Sequence, residues 1–331
     1  MSAVAVAATA LLAACGSQAT RSQADRCQKP VNTPQQPFAP SSVWKAPLPS
    51  NPALDGASAQ IVSQLAAEVS KERTTAGNGP WLNTAEYSVP VYGVSDCQPT
   101  QRVTLDGADD TLQQAFADVP LPRDVRPAKG TDGTLVVYQP SRDRLWEFWV
   151  MRRQSGGWHA MWGGRMDHVS GNPGHFQGPG PSRSWGASAS GIAMLGGLAR
   201  PAEVRSGAID HALALSAPIV RASQFTPPAQ RTDGKVAPPD GIPEGAHFRI
   251  DPSLDLSTLG LTPVGLAFAR AAQRYGIIVR DYSANVAFYG EDPRNVKVYP
   301  WTDVIGQTPP PELLANFPWD HLQLLKMNLQ G

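Results

Sequence analysis

In RLWEFWVMR, residues 144–152, one carboxylate stands among Trp146, Phe148, Trp149 and Val150. Read as a strand, the run sets Leu145, Glu147, Trp149 and Met151 on one face and Trp146, Phe148 and Val150 on the other. Glu147 then has apolar neighbours whichever face turns inward. An ionised carboxylate is costly there unless it is paired or held protonated. The protonated form is what a general acid needs; the alternative is a structural salt bridge to Arg144, Arg152 or Arg165. Next comes GGRMDH, residues 163–168, and then His175 within GNPGHFQGPGP, residues 171–181. Glycine lets the backbone approach a ligand closely, and Asp167, His168 and His175 can transfer protons or bind through oxygen and nitrogen. His211 alternates with Ile209, Leu213 and Leu215 and has Asp210 beside it. It is either a satisfied core histidine or a base tuned by a neighbouring acid. Ser188 and Ser190 lie near the pattern of a nucleophile elbow, but Ser188 lacks one flanking glycine and Ser190 both, so a small-residue packing segment is the better reading.

Six large rings, Trp146, Phe148, Trp149, Trp158, Trp162 and Trp185, fall within 40 residues of these groups. Sugars offer weakly polar faces that stack on aromatic rings and hydroxyls that pair with acids and arginine. The sequence therefore points to a protein that acts on carbohydrate. The expected catalytic set is Glu147, Asp167, His175, Asp210 and His211, with Trp149, Trp162, Arg165 and Trp185 binding substrate. Hydrolysis needs two carboxylates, Glu147 first and Asp167 or Asp210 second. A lyase needs a neutral base, His211 or Tyr275, and a group such as Arg165 to stabilise developing charge. The alternatives are a non-catalytic glycan binder using the same aromatic strip, and an envelope protein in which every tryptophan is core. An enzyme should bring at least two of the titratable groups into one cleft; a binder shows the aromatics without them. The histidines have no tight ligand spacing, so no metal and no cofactor is expected.

These groups need a scaffold of strands. Strand patterns cover residues 87–94, 102–105, 133–138, 144–152, 158–166, 245–250, 276–282 and 285–289, and helical patterns residues 57–71, 110–117 and 263–275. Pro201 followed by Glu203 and Gly207 describes one more short helix. Gly and Pro gather at residues 171–181, 227–243 and 309–311, which read as loops too polar to be buried. The expected fold is mainly β, a sandwich or jelly roll in a single domain over residues 41–331, with a few marginal helices.

Residues 1–14, MSAVAVAATALLAA, form an apolar export core too short to span a bilayer. Leu12, Ala13, Ala14 and Cys15 follow the lipobox pattern of a bacterial lipoprotein, in which Cys15 receives the lipid and becomes the first residue, although no Lys or Arg precedes the apolar core. Residues 15–40, rich in Gln, Ser, Thr and Pro, read as a lipidated tether. Cys27 and Cys97 are then the two remaining thiols, and an oxidising compartment makes them a disulfide. The expected location is extracytoplasmic, anchored to the cell membrane, with a polysaccharide or cell-wall glycan as partner. With 28 basic and 28 acidic residues and no basic run, nucleic acid is not an expected partner. Thirty-two prolines in 331 residues exclude a helical bundle or coiled coil.

The run from Trp185 through Ser190, Gly191, Gly196, Gly197, Leu198, Glu203, Gly207 and residues 209–213, with Tyr275, Gly276 and Asp281, resembles a family of secreted actinobacterial proteins of unassigned activity. The resemblance covers residues 44–291. It implies export and one compact domain and assigns no catalytic residue. In class the chain is also similar to jelly-roll glycoside hydrolases and polysaccharide lyases.

Overall fold

Runs of β-branched and aromatic residues, cut by Gly and Pro, form two principal sheets. The computed structural model describes residue 27 and residues 30–74, 79–177, 185–295 and 300–331. Cys15 and the export core lie outside the described residues. The first sheet has the order Glu291–Asp292, Val89–Gly93, Leu135–Gln139, Arg144–Trp149, Trp162–Asp167. Its first two pairings are parallel and its last two antiparallel. The second, six-stranded and mixed, runs Trp81–Asn83, Ala287–Tyr289, Leu213–Ala217, Ile277–Tyr282, His247–Ile250, Leu322–Leu324. Two smaller sheets flank them: Val103–Leu105, Gly157–Ala160 and Arg152–Gln154, and the pair Val220–Phe225 with Ile242–Glu244. The protein is mainly β and sandwich-like, as expected.

The period-two rule sorts the six-stranded sheet cleanly. Leu213, Leu215, Ile277 and Val279 join the apolar cluster that includes helices Ser58–Thr74 and Pro263–Arg274. Ala214 and Ile278 belong to the other cluster, with the five-stranded sheet. The layers are therefore five-stranded sheet, six-stranded sheet, helices. Both faces of strand Arg144–Trp149 are covered, since Trp146, Glu147 and Phe148 are all buried. A strand covered on both faces hides its alternation.

Two strand patterns read as continuous are broken in the structure. The expected strand over residues 144–152 ends at Trp149, because Val150 takes a left-handed φ of 53°. A β-branched residue adopts that conformation only when its surroundings impose it. Here the Val150 and Met151 amides donate to the Asp132 and Gly133 carbonyls at 2.6 and 3.0 Å. The expected strand over residues 158–166 splits at Met161 into Gly157–Ala160 and Trp162–Asp167. Residues 227–243, read as loop, contain the start of strand Ile242–Glu244.

Irregular backbone lies between the sheets, with Ser188, Ser190, Ile192, Ala193, Met194 and Leu195 all buried. Its polar groups cannot reach bulk water and must be paired internally. Met194 and Leu195 donate their amides to Glu147 Oε1 at 2.6 and 3.3 Å. From the other sheet, Arg280 donates to the carbonyls of Met194 and Gly196 at 2.8 and 3.4 Å. Gly197 holds φ 68°, and a Cβ there would come 2.4 Å from the Ala214 nitrogen and 2.5 Å from the Trp44 ring. Only glycine meets both demands.

Cys27 and Cys97 form a disulfide. The body reaches further toward the amino terminus than residue 41: Val31 donates to the Gly93 carbonyl, Gln36 bonds Leu195 and Gly197, and Phe38 is buried. Among the described residues no helix is long and apolar enough to cross a membrane.

Candidate functional site

The strand break at Trp149 and the split at Met161 expose both side chains at one rim of a cleft of about 1030 Å³. Trp162 and Asp132 line the same side. The six-stranded sheet contributes Trp81, Ser216, Asp281, Tyr282 and Tyr289, and the buried segment contributes Ala187, Ser188 and Met194. Arg231 and Asp233 complete the polar wall. Five large apolar side chains stand exposed among the described residues, and three of them, Tyr87 at 44%, Trp149 at 38% and Met161 at 38%, line this cleft. Apolar exposure gathered at one concavity marks a binding surface.

Three carboxylates meet at the wall. One oxygen each from Asp233, Glu244 and Asp281 lies within 4.8 Å of the others. A bulge places Asp281: Val279 pairs with Leu215 and Asp281 with Ser216, so Arg280 is the extra residue. Simple alternation would send Asp281 to the helix side with Val279; the inserted residue turns it to the cleft. Glu244 ends strand Ile242–Glu244 and is fully buried, while Asp233 reaches the surface. Burial, then the charges of Asp281 and Asp233, push Glu244 up to about 9; the Thr232 hydroxyl and the backbone at Asp233 oppose this only in part. Burial, then the charges of Asp233 and Asp132, raise Asp281 to about 7 against the opposing Arg280. Desolvation also raises Asp233. Arg231 lies near enough for its charge to act on all three, but its guanidinium donates to the carbonyls of Trp185, Gly186 and Ser188.

Of the residues expected from sequence, Trp149 and Trp162 line the cleft. Glu147, Asp167, His175, Asp210 and His211 do not, so these titratable groups do not converge in this cleft. Glu147 instead accepts from the Met194 and Leu195 amides, and burial pushes it up to about 8 despite the opposing charge of Arg280. Asp167 pairs with Arg144 and, at 3.1 Å, with Arg165, which ties up the arginine expected to bind substrate. His175 Nδ1 accepts from Gln230 at 2.7 Å, and burial lowers its pKa. His211 is buried; its Nδ1 donates to the Ala212 carbonyl at 2.7 Å and its Nε2 lies 3.1 Å from Glu203. Asp210 is exposed, and Trp185 is buried beside Arg231.

The sequence reading passed over Arg231, Asp233 and Glu244 because they fall in or beside the Gly/Pro-rich stretch read as exposed loop. Asp281 carried a usable signal: in IIVRDY, residues 277–282, it interrupts an apolar run as Glu147 does. Compared with protein-family profiles, with curated proteins and with solved structures, the chain matches none.

The role of Glu147 makes a pH test. In the fold it keeps its proton to about 8, whereas its ordinary value is 4.5. Between those values the unfolded chain binds fewer protons, so stability falls as pH rises. Glu147→Gln keeps an accepting oxygen and removes the titration. Its urea midpoint should lose less than that of the natural chain between about pH 5 and about pH 9. Equal losses would mean that Glu147 is already ionised in the fold.

Proposed function

We propose that this chain is an extracytoplasmic, membrane-anchored lipoprotein that acts on carbohydrate, holding a glycan in the cleft between its two sheets. The observation that carries the reading is the gathering of exposed Tyr87, Trp149 and Met161 around a concavity whose wall is polar. Rings at the rim stack on sugar faces, while Asp233 and Asp281 meet hydroxyl groups. A volume of about 1030 Å³ is at the upper end of the roughly 300–1,000 Å³ typical of small-molecule pockets and suits an extended ligand. None of the five titratable groups expected to catalyse lines the cleft, which favours binding over turnover.

One observation favours the catalytic alternative. Asp132, beside the kinked strand of one sheet, and Asp281, from the other, both line the cleft and lie close enough for their charges to interact. A carboxylate pair is what glycoside hydrolysis uses. A lyase finds less support, because neither His211 nor Tyr275, the bases expected for it, lines the cleft.

A glycan array followed by product analysis tests both. Trp149→Ala and Trp162→Ala should each weaken glycan retention about tenfold, the order of one stacking contact, with the melting temperature nearly unchanged for exposed Trp149. Undiminished retention in both variants contradicts the proposed site. Shortened products that vanish in Asp132→Asn assign hydrolysis; binding without products assigns the non-catalytic function.

The lipobox pattern at residues 12–15 and the Cys27–Cys97 disulfide support the location. A diacyl modification of Cys15 carries two chains, enough for stable anchoring. Mass spectrometry of the mature protein should find modified Cys15 as its first residue; an unmodified Met1 or Cys15 overturns the anchor.

A further inference from the structure

We propose that Asp233, Glu244 and Asp281 form a binding site for a divalent cation of calcium's class in the wall of the cleft. Geometry is the first support. Oxygens bound to one calcium lie at about 2.3–2.6 Å from it and so are at most about 5 Å apart. The three carboxylate oxygens fall within 4.8 Å of one another, close enough to share one ion. They come from three separate elements, so tertiary packing, not a local turn, brings them together.

Glu244 is the second, independent support. It is 0% exposed, and neither carboxylate oxygen completes a well-formed hydrogen bond, the Thr232 hydroxyl and the Asp233 amide being the nearest donors and opposing its raised pKa only in part. The Thr232 hydroxyl, a possible partner, donates instead to the Arg221 carbonyl at 3.0 Å. A buried carboxyl group whose oxygens lack well-formed hydrogen bonds is costly even when it keeps its proton, and a bound ion removes that cost. Among the described residues no salt bridge reaches Glu244, although the charge of Arg231 acts on it from a distance. Arg231 is turned to three carbonyls, and Arg280 donates to Met194 and Gly196 and lies over the Tyr289 ring at 3.8 Å.

The donor set fixes the class of ion. Three carboxylates with no imidazole or thiolate suit a hard cation. Calcium tolerates irregular coordination and accepts six to eight oxygens, whereas magnesium demands a near-ideal octahedron at shorter range. Asp233 and Asp281 both line the cleft, so coordination positions beyond the three carboxylates face the space where a ligand sits. Hydroxyl or carboxylate oxygens of a glycan can occupy them. The cation site itself does not depend on the carbohydrate reading, because its three ligands come from the chain alone.

Terbium tests the site without any glycan. The mature, disulfide-intact protein is treated with chelator, dialysed and titrated with terbium while its aromatic side chains are excited. The expected result is sensitised luminescence that saturates at one ion per chain and is displaced by calcium at much lower concentration than by magnesium. Glu244→Gln and Asp281→Asn should each weaken terbium binding at least tenfold. Asp233→Asn, at the surface, should weaken it while leaving the thermal transition intact, which covers the case in which a buried variant fails to fold. Absence of calcium-displaceable luminescence, equal displacement by magnesium, or undiminished binding in Asp233→Asn and Asp281→Asn overturns the proposal. Failure here leaves glycan retention to be judged on the array, and failure on the array leaves this result standing.

Discussion

Irregular backbone buried between two sheets has no water to satisfy its amides and carbonyls, and the chain around Met194 survives there because each sheet supplies what it lacks. Glu147, from the five-stranded sheet, accepts the amides of Met194 and Leu195. Arg280, from the six-stranded sheet, gives its guanidinium to the carbonyls of Met194 and Gly196. An acid and a base thus hold one piece of backbone from its two sides, and through it they hold the sheets to each other. Ala187, Ser188 and Met194 belong to that piece and line the cleft, so the clasp also positions part of the cleft wall. An apolar residue at either position would leave buried polar groups unpaired, a cost of about 1–3 kcal/mol each.

Two departures from regular strand geometry open the cleft. The positive φ at Val150 stops one strand and leaves Trp149 exposed, held in place by hydrogen bonds to the loop that carries Asp132. The bulge at Arg280 sends two consecutive charged side chains toward the same interior: Arg280 to the clasp, Asp281 to the cleft. Irregularities of this kind gather where a fold must aim a side chain against its own alternation.

The sandwich class, helix Pro263–Arg274 and the disulfide were legible because each rests on local pattern or on the count of thiols. The cost of burying Glu147 was legible too, since a carboxylate between Trp146 and Phe148 must be accounted for in any strand. What it was matched with was not: Arg280 and the amides at 194 and 195 are distant in sequence, and nothing local pairs them. His211 shows the same limit, for its alternation with Leu213 and Leu215 foretold burial but not its partner Glu203. Asp281 was hidden for a different reason. A one-residue bulge inverts the side to which a strand residue points, and periodicity read on regular strands gives the wrong face beyond it. Glu244 escaped because Pro and Gly around it read as loop, although residues 242–244 form a buried strand.

On the proposed function, ligand enters between the two sheets, against the rings at the rim. The nine tryptophans report on it directly, because they are spread across the molecule. Indole N–H resonances, assigned by single substitutions and followed while the glycan retained on the array is added, give one signal for each ring. Shifts are expected at Trp81, Trp149 and Trp162, which line the cleft, with Trp44, Trp146 and Trp301 unmoved in their buried sites. Saturable binding that shifts only tryptophans outside the cleft, or none at all, would contradict it.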